Sequence, residues 1–223
     1  DCGNETVQVQ IITVEDTISP VVVCPPLQDI EACDIDEFNS QATFPYSTTP
    51  VSITLVEFES IGGTATDNCN VFEISYQDVT DGGNCPEVIT RTFTVSDNCD
   101  NVTTCTQTIT LNDTTPPQFS VPPDITIYKD ETCSYDASVT VTGDVTDESD
   151  NCSKNLEATY SDVEAIGTCD DETIITRTWS LIDDCGNETV QVQIITVEDT
   201  ISPVVVCPPL QDIEACDIDE FNS

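Results

Sequence analysis

Forty residues occur twice in this chain without a single difference. Asp1–Ser40, beginning DCGNETVQVQ, return as Asp184–Ser223 at an offset of 183. A chain that repeats itself verbatim is built from units that fold alike and sit in tandem, so the repeat sets the architecture before any strand or helix is considered. The identity also leads to the expectation that the 223 residues are a window on a longer polymer of one 183-residue unit.

A weaker repeat lies inside that unit. VITRTFTVSDNCDNVTTCTQTITLNDTTPP (Val88 to Pro117) aligns with IITRTWSLIDDCGNETVQVQIITVEDTISP (Ile174 to Pro203) at an offset of 86, and TDNCN (Thr66 to Asn70) aligns with SDNCS (Ser149 to Ser153). Asp-Thr-x-x-Pro strings at Asp16, Asp113 and Asp199 punctuate the series. The expected organisation is therefore the end of a preceding module at 1–20, a first module at 21–116, a second at 117–203, and the start of the next copy at 204–223.

VQVQIITV, CTQTITL, VITRTFTV and IITRTWSL alternate apolar and polar residues with period 2 and are rich in β-branched types, and Gly, Asn, Asp and Pro separate them. No stretch shows a convincing helical period. Short strands in modules of roughly 90 residues predict an all-β fold of tandem immunoglobulin-like β-sandwiches, rich in disulfides. Phe93 and Trp179, at equivalent strand positions, suit core packing.

Thirteen cysteines, with no histidine and no CxxC pair, point to disulfides in an oxidising compartment rather than to zinc. Aligned at the junction Asp, Cys24 stands opposite Val121 and Cys105 opposite Gln191; the joint loss of both predicts a Cys24–Cys105 bond. If the strand at Val71 to Val79 returns as Val88 to Asp97, pairs share the index sum 168. That places Cys69 beside Cys99 and, in the second module, Cys152 beside Cys185. Elimination leaves Cys33 with Cys85 and Cys133 with Cys169, although four cysteines allow three pairings. Cys2, Cys207 and Cys216 repeat Cys185, Cys24 and Cys33 and find partners outside the window.

The net charge is −39, from 43 acidic and 4 basic residues. Such a surface repels phosphate backbones and anionic membranes, so its natural partners are cations. No run of apolar residues is long enough to cross a bilayer. In a sandwich the TDNCN and SDNCDN loops share one pole with the incoming linker. This gathers Glu15, Asp16, Asp67, Asp97 and Asp100 in the first module, and Asp113, Asp147, Asp150, Asp183 and Asp184 in the second. Hard oxygen ligands from several loops suit Ca²⁺, and the same residues suit solvated turns. The sequence carries no GxSxG, HExxH or phosphate loop, and its one basic pair at equivalent positions is Arg91 and Arg177, so no enzyme is expected.

The string DNC…ITRT[FW]…DxCxN…TQTIT…DTTPP…PPDIT resembles the hyalin-repeat-like, immunoglobulin-like modules found in tandem in giant secreted surface adhesins of Bacteroidetes. The resemblance implies type IX secretion, display on the cell surface or outside the cell, and O-glycans on Asp-Thr triplets at Thr17, Thr114 and Thr200. Gln191 and Val121 depart from the pattern, in which cysteines stand at both places. The function expected is a tension-bearing spacer in a filament or adhesin stalk, stiffened by disulfides and calcium, whose identical lateral surfaces suit self-assembly of neighbouring copies. The rival is a calcium-dependent ligand- or glycan-binding adhesion module.

Overall fold

The computed structural model describes residues 2–168 and 171–209. In chain order the elements are β1 (Val21–Val23), β2 (Gln28–Glu31), α1 (Ile35–Gln41), β3 (Val51–Ile53), α2 (Leu55–Ser60), β4 (Thr64–Thr66), β5 (Val71–Thr80), β6 (Glu87–Asp97), β7 (Val102–Asn112), β8 (Ile125–Tyr128), α3 (Val139–Thr142), β9 (Thr159–Ile166), β10 (Thr173–Ile182) and β11 (Glu188–Glu198). They form a five-stranded sheet ordered β2-β7-β6-β5-β3, a two-stranded sheet β1-β4 and a four-stranded sheet β8-β11-β10-β9. The fold is all-β, disulfide-rich and sandwich-like. Two compact units divide the chain. The first comprises Asp1–Ser120, Val145–Thr159 and Ser180–Gln191; the second comprises Val121–Asp144, Tyr160–Trp179 and Val192–Ser223.

The alternation read in the sequence becomes one buried face. Ile89, Arg91, Phe93 and Val95 of β6 are buried at every second position. In the first unit Phe93 and Val95 join Phe44, Phe58, Ala65, Ile74 and Tyr76 in one cluster, and Ala32, Phe38, Ile89, Ile109 and Leu111 form another. In the second unit Ile127, Ile175, Ile195 and Val197 pack together. Phe93 and Trp179 are both fully buried, as their strand positions predict. Gly63 abuts the Phe58 ring so closely that an added Cβ would lie 2.5 Å from Phe58 Cζ. Because that ring is itself fully buried, Gly63→Ala is expected to destabilise the first unit by about 1–3 kcal/mol in chemical denaturation.

Each sequence module sets its early strand parallel to its last. β2 pairs β7 with Gln28 opposite Ile109, and β8 pairs β11 with Ile125 opposite Ile195. A chain pulled at both ends therefore loads this pair along its length. Cys24 and Cys105 are bonded beside it in the first unit, Cα to Cα 5.7 Å, as the paired loss predicts. Where Cys105 is replaced by Gln191, the Gln191 Nε2 donates to the Phe119 carbonyl at 2.7 Å, a hydrogen bond in place of a covalent clamp.

Three other disulfide pairings differ from expectation. Cys33 bonds Cys152 rather than Cys85, Cys85 bonds Cys185, and Cys69 and Cys99 are unbonded instead of joined. The β5–β6 hairpin does form, starting at Val71 opposite Asp97, but a bulge between Val71 and Glu73 moves the remaining pairs to an index sum of 169. Beyond Val71 the ladder ends: Asn70 and Asp100 adopt φ of 91° and 64°, and the Asp67 and Asp97 carboxylates accept from the amides of Cys69 and Cys99. These turns take the two cysteines off the ladder, and neither is bonded. The expected Cys133–Cys169 pair includes Cys169, which lies outside the described residues; Cys133 is exposed and unbonded.

The helices are the other departure. α1 is capped by Asp34, whose Oδ1 accepts from Glu37 N at 2.9 Å, and α2 by a Thr54–Glu57 capping box. Each buries one phenylalanine, Phe38 or Phe58. Elements of six or seven residues with a single anchor are too short to show a period, although Thr-x-x-Glu at Thr54 is a legible cap.

Candidate functional site

Two joints share one geometry, and both lie in the first unit. At the first, Asn101 Nδ2 donates to the Asp16 carbonyl at 3.1 Å and to Asp97 Oδ2 at 2.7 Å, and Asn68 Nδ2 reaches the Asp16 carboxylate at 3.3 Å. At the second, Asn187 Nδ2 donates to the Asp113 carbonyl at 3.0 Å and to Asp183 Oδ2 at 2.7 Å, and Asn151 Nδ2 reaches Asp113 Oδ1 at 3.2 Å. Thr103 and Thr189 each donate to the carbonyl of the junction proline, Pro20 or Pro117. Thus the DxCxN loop and the DNC loop grip the Asp-Thr-x-x-Pro linker through side-chain amides.

The grip gathers carboxylates. Asp16, Asp67 and Asp97 bring oxygens within 4.8 Å of one another, and so do Asp113, Asp150 and Asp183. Of the ten acidic residues expected to converge, these six do so. Glu15, Asp100, Asp147 and Asp184 stand outside both groups. Asp147 instead accepts from Ser120 N at 2.9 Å, which lowers its pKa.

The two trios differ in burial. Asp16 is held below the ordinary carboxylate range, chiefly by the Ile18 amide, and Asp97 by the Asn101 side chain. Asp113 is 2% exposed, and burial pushes its carboxyl upward. Its Oδ2 has no hydrogen-bond partner, and neither has Asp150 Oδ1 beside it. A protonated Asp113 carries stability that is present below the ordinary carboxylate range and lost as pH rises through its raised value. Glu31, whose carboxylate accepts from the Thr114 and Thr115 hydroxyls, is held low by the Thr114 contact. Sequence reasoning missed Glu31, which sits on β2 and is replaced by Tyr128 in the second module.

Beside the second trio stand the Cys33–Cys152 and Cys85–Cys185 bridges, with Cα separations of 5.0 and 5.2 Å, inside the range a disulfide needs. A polar hollow between them is lined by Cys33, Asn84, Cys85, Asp113, Cys152 and Asp184. The close approach of Cys33, Glu37 and Cys152 is this bridge and its neighbour, since Glu37 Oε2 accepts from Cys33 N at 2.8 Å.

Thr17, Thr114 and Thr200 are all exposed, and the Thr114 hydroxyl is engaged by Glu31. Phe72, Tyr128 and Tyr160, at 68%, 59% and 45% exposure, depart from the core placement of Tyr76, Phe93 and Trp179. Arg91 and Arg177 are buried structural groups: each guanidinium pairs an aspartate, Asp78 or Asp162, and lies 4.3 or 4.1 Å from the centroid of Tyr76 or Tyr160. Arg91 also donates to the Phe44 carbonyl, and Arg177 to the Ala137 carbonyl.

Fold and joints define a disulfide-bonded β-sandwich chain of an oxidising, non-cytoplasmic compartment. No family model and no curated protein sequence matches it. Among the described residues no helix is long and apolar enough to cross a membrane.

Proposed function

We propose that the chain is part of a tension-bearing spacer in a long extracellular or cell-surface filament or adhesin stalk, built from tandem copies of the 183-residue unit. The carrying observation is the second joint, where a proline-bearing linker is gripped by side-chain amides and flanked by two disulfides. The Asn187 and Asn151 side-chain amides are committed to the linker's Asp113 rather than left free to meet a ligand. The resemblance to hyalin-repeat-like surface modules supports the same reading, as does the strong negative charge, which favours solubility and discourages collapse.

Calcium belongs to this proposal. The Asp113, Asp150 and Asp183 trio offers hard oxygens, two of them buried without partners, and a divalent cation would satisfy both while offsetting the charge that burial disfavours. Those residues would hold the ion, with further oxygens from solvent completing its shell.

Thermal unfolding under non-reducing conditions, with Ca²⁺ and then with excess EDTA, tests the assignment. At a hundredfold excess over Kd the cation is expected to add about 2.7 kcal/mol. Asp113→Asn is expected to abolish that response while leaving the metal-free chain at least as stable at neutral pH, because a neutral amide replaces a buried charge. An unchanged melting curve in both buffers would remove calcium and leave the disulfides and amide contacts to stiffen the joint.

A further inference from the structure

The first joint repeats the second in its amide and threonine grip on the linker but not in its cysteines. Cys69 follows Asp67 as Cys152 follows Asp150, Cys99 follows Asp97 as Cys185 follows Asp183, and all four amides are held by the preceding aspartate at 2.7–2.8 Å. Yet Cys152 and Cys185 are bridged, whereas Cys69 and Cys99 are exposed and unbonded. Their counterparts' partners, Cys33 and Cys85, sit just after β2 and in the β5–β6 turn. In the second module the place equivalent to that of Cys33, just after β8, is held by Cys133, which is exposed and unbonded.

We infer that every joint of the array carries a staple of the Cys33–Cys152 kind, so that Cys133 of one unit bonds the Cys69 position of the next copy. The inference rests on the tandem-array part of the proposed function. It gives each of two exposed, unbonded cysteines a partner, and it places the bond on a loop whose counterpart already carries one.

Each staple forms by thiol–disulfide exchange. One cysteine thiolate attacks the disulfide of an oxidising dithiol protein and gives a mixed disulfide; the partner thiolate then displaces the oxidant's sulfur. Two protons and two electrons leave the pair for each bond, and the oxidant's disulfide is reduced to a dithiol.

The test is non-reducing proteolysis and mass spectrometry of the chain extended by one further 183-residue unit, produced in an oxidising compartment and alkylated before digestion. One linked peptide pair is expected, the first copy of Cys133 with the second copy of Cys69, with no alkylation at either site. Replacing the second copy of Cys69 by Ser should make the first copy of Cys133 fully alkylated and leave Cys33–Cys152 and Cys85–Cys185 intact. A bond of the second copy of Cys69 to the second copy of Cys99, a bond of the first copy of Cys133 to any other cysteine, links only between separate molecules, or alkylation at either of the two sites in the unsubstituted chain would each overturn the inference. Mapping reads pairing alone, so it can fail while the spacer reading stands, and a mechanical measurement can fail while the pairing stands.

Discussion

Pulled from its ends to full extension, the oxidised chain is expected to span about 80 Å between Cys24 and Cys185, against about 530–580 Å once reduced. The reason is covalent topology. Force entering at Cys24 crosses to Cys105, runs back only as far as Cys85, and crosses again to Cys185, so backbone outside that short path carries no load. The pairing expected from the hairpin register, with Cys24–Cys105 and Cys152–Cys185, would leave the whole of 105–152 in the path and give about 170 Å. Single-molecule force spectroscopy with handles outside residues 24–185, before and after a reductant, separates the three lengths. An oxidised extension near the reduced value would show that the staples do not carry tension. Equilibrium stability should follow the same bonds: closing the 81-residue separation between Cys24 and Cys105 is worth about 4–5 kcal/mol in the chain-entropy account, and Cys24→Ala with Cys105→Ala should lose much of that.

Arg91→Ala is expected to cost about 3–5 kcal/mol, which for a small domain is much of its stability. The guanidinium is 3% exposed and its partner Asp78 1%, so removing it strands a carboxylate in the core. The same change frees the Phe44 carbonyl and the face of Tyr76. Arg91→Lys should recover little, since a single ammonium cannot match the Nε and Nη2 fork at 2.8 and 2.9 Å. Arg177→Ala should cost less, because the Asp162 side chain keeps 29% of its exposure and water can take over its solvation. Chemical denaturation of the three variants checks the order, and equal losses for Arg91→Ala and Arg177→Ala would show that partner burial is not what sets the cost.

Much of this was legible from residues alone. The β5–β6 hairpin could be placed because Val71 to Val79 and Val88 to Asp97 alternate in step, and only the bulge at Val71/Glu73 shifted its register. Cys24–Cys105 could be paired because the second module lost both members. The joints could be placed because the Asp-Thr-x-x-Pro, DNC and DxCxN strings recur together, and six of the ten expected acids do meet there. Cys33–Cys152 was hidden because its members are 119 residues apart and belong to different sequence modules. Elimination within one module could never reach it. The ion pairs were hidden too, since a lone Arg on an alternating strand gives no sign of whether its face is buried.

The disulfides show where the division lies. Cys33 and Cys85 belong to one sequence module, yet each bonds a cysteine of the other module, 119 and 100 residues away. By itself the sequence determined the repeat, the period-2 face that each segment can bury, and the acidic, cysteine-bearing loops. Tertiary structure alone decided which faces cover one another and which cysteines meet. A strand exists only where neighbouring backbone satisfies its amides and an opposing face covers its apolar side, and a disulfide only where the fold brings two Cα atoms to about 5–6 Å.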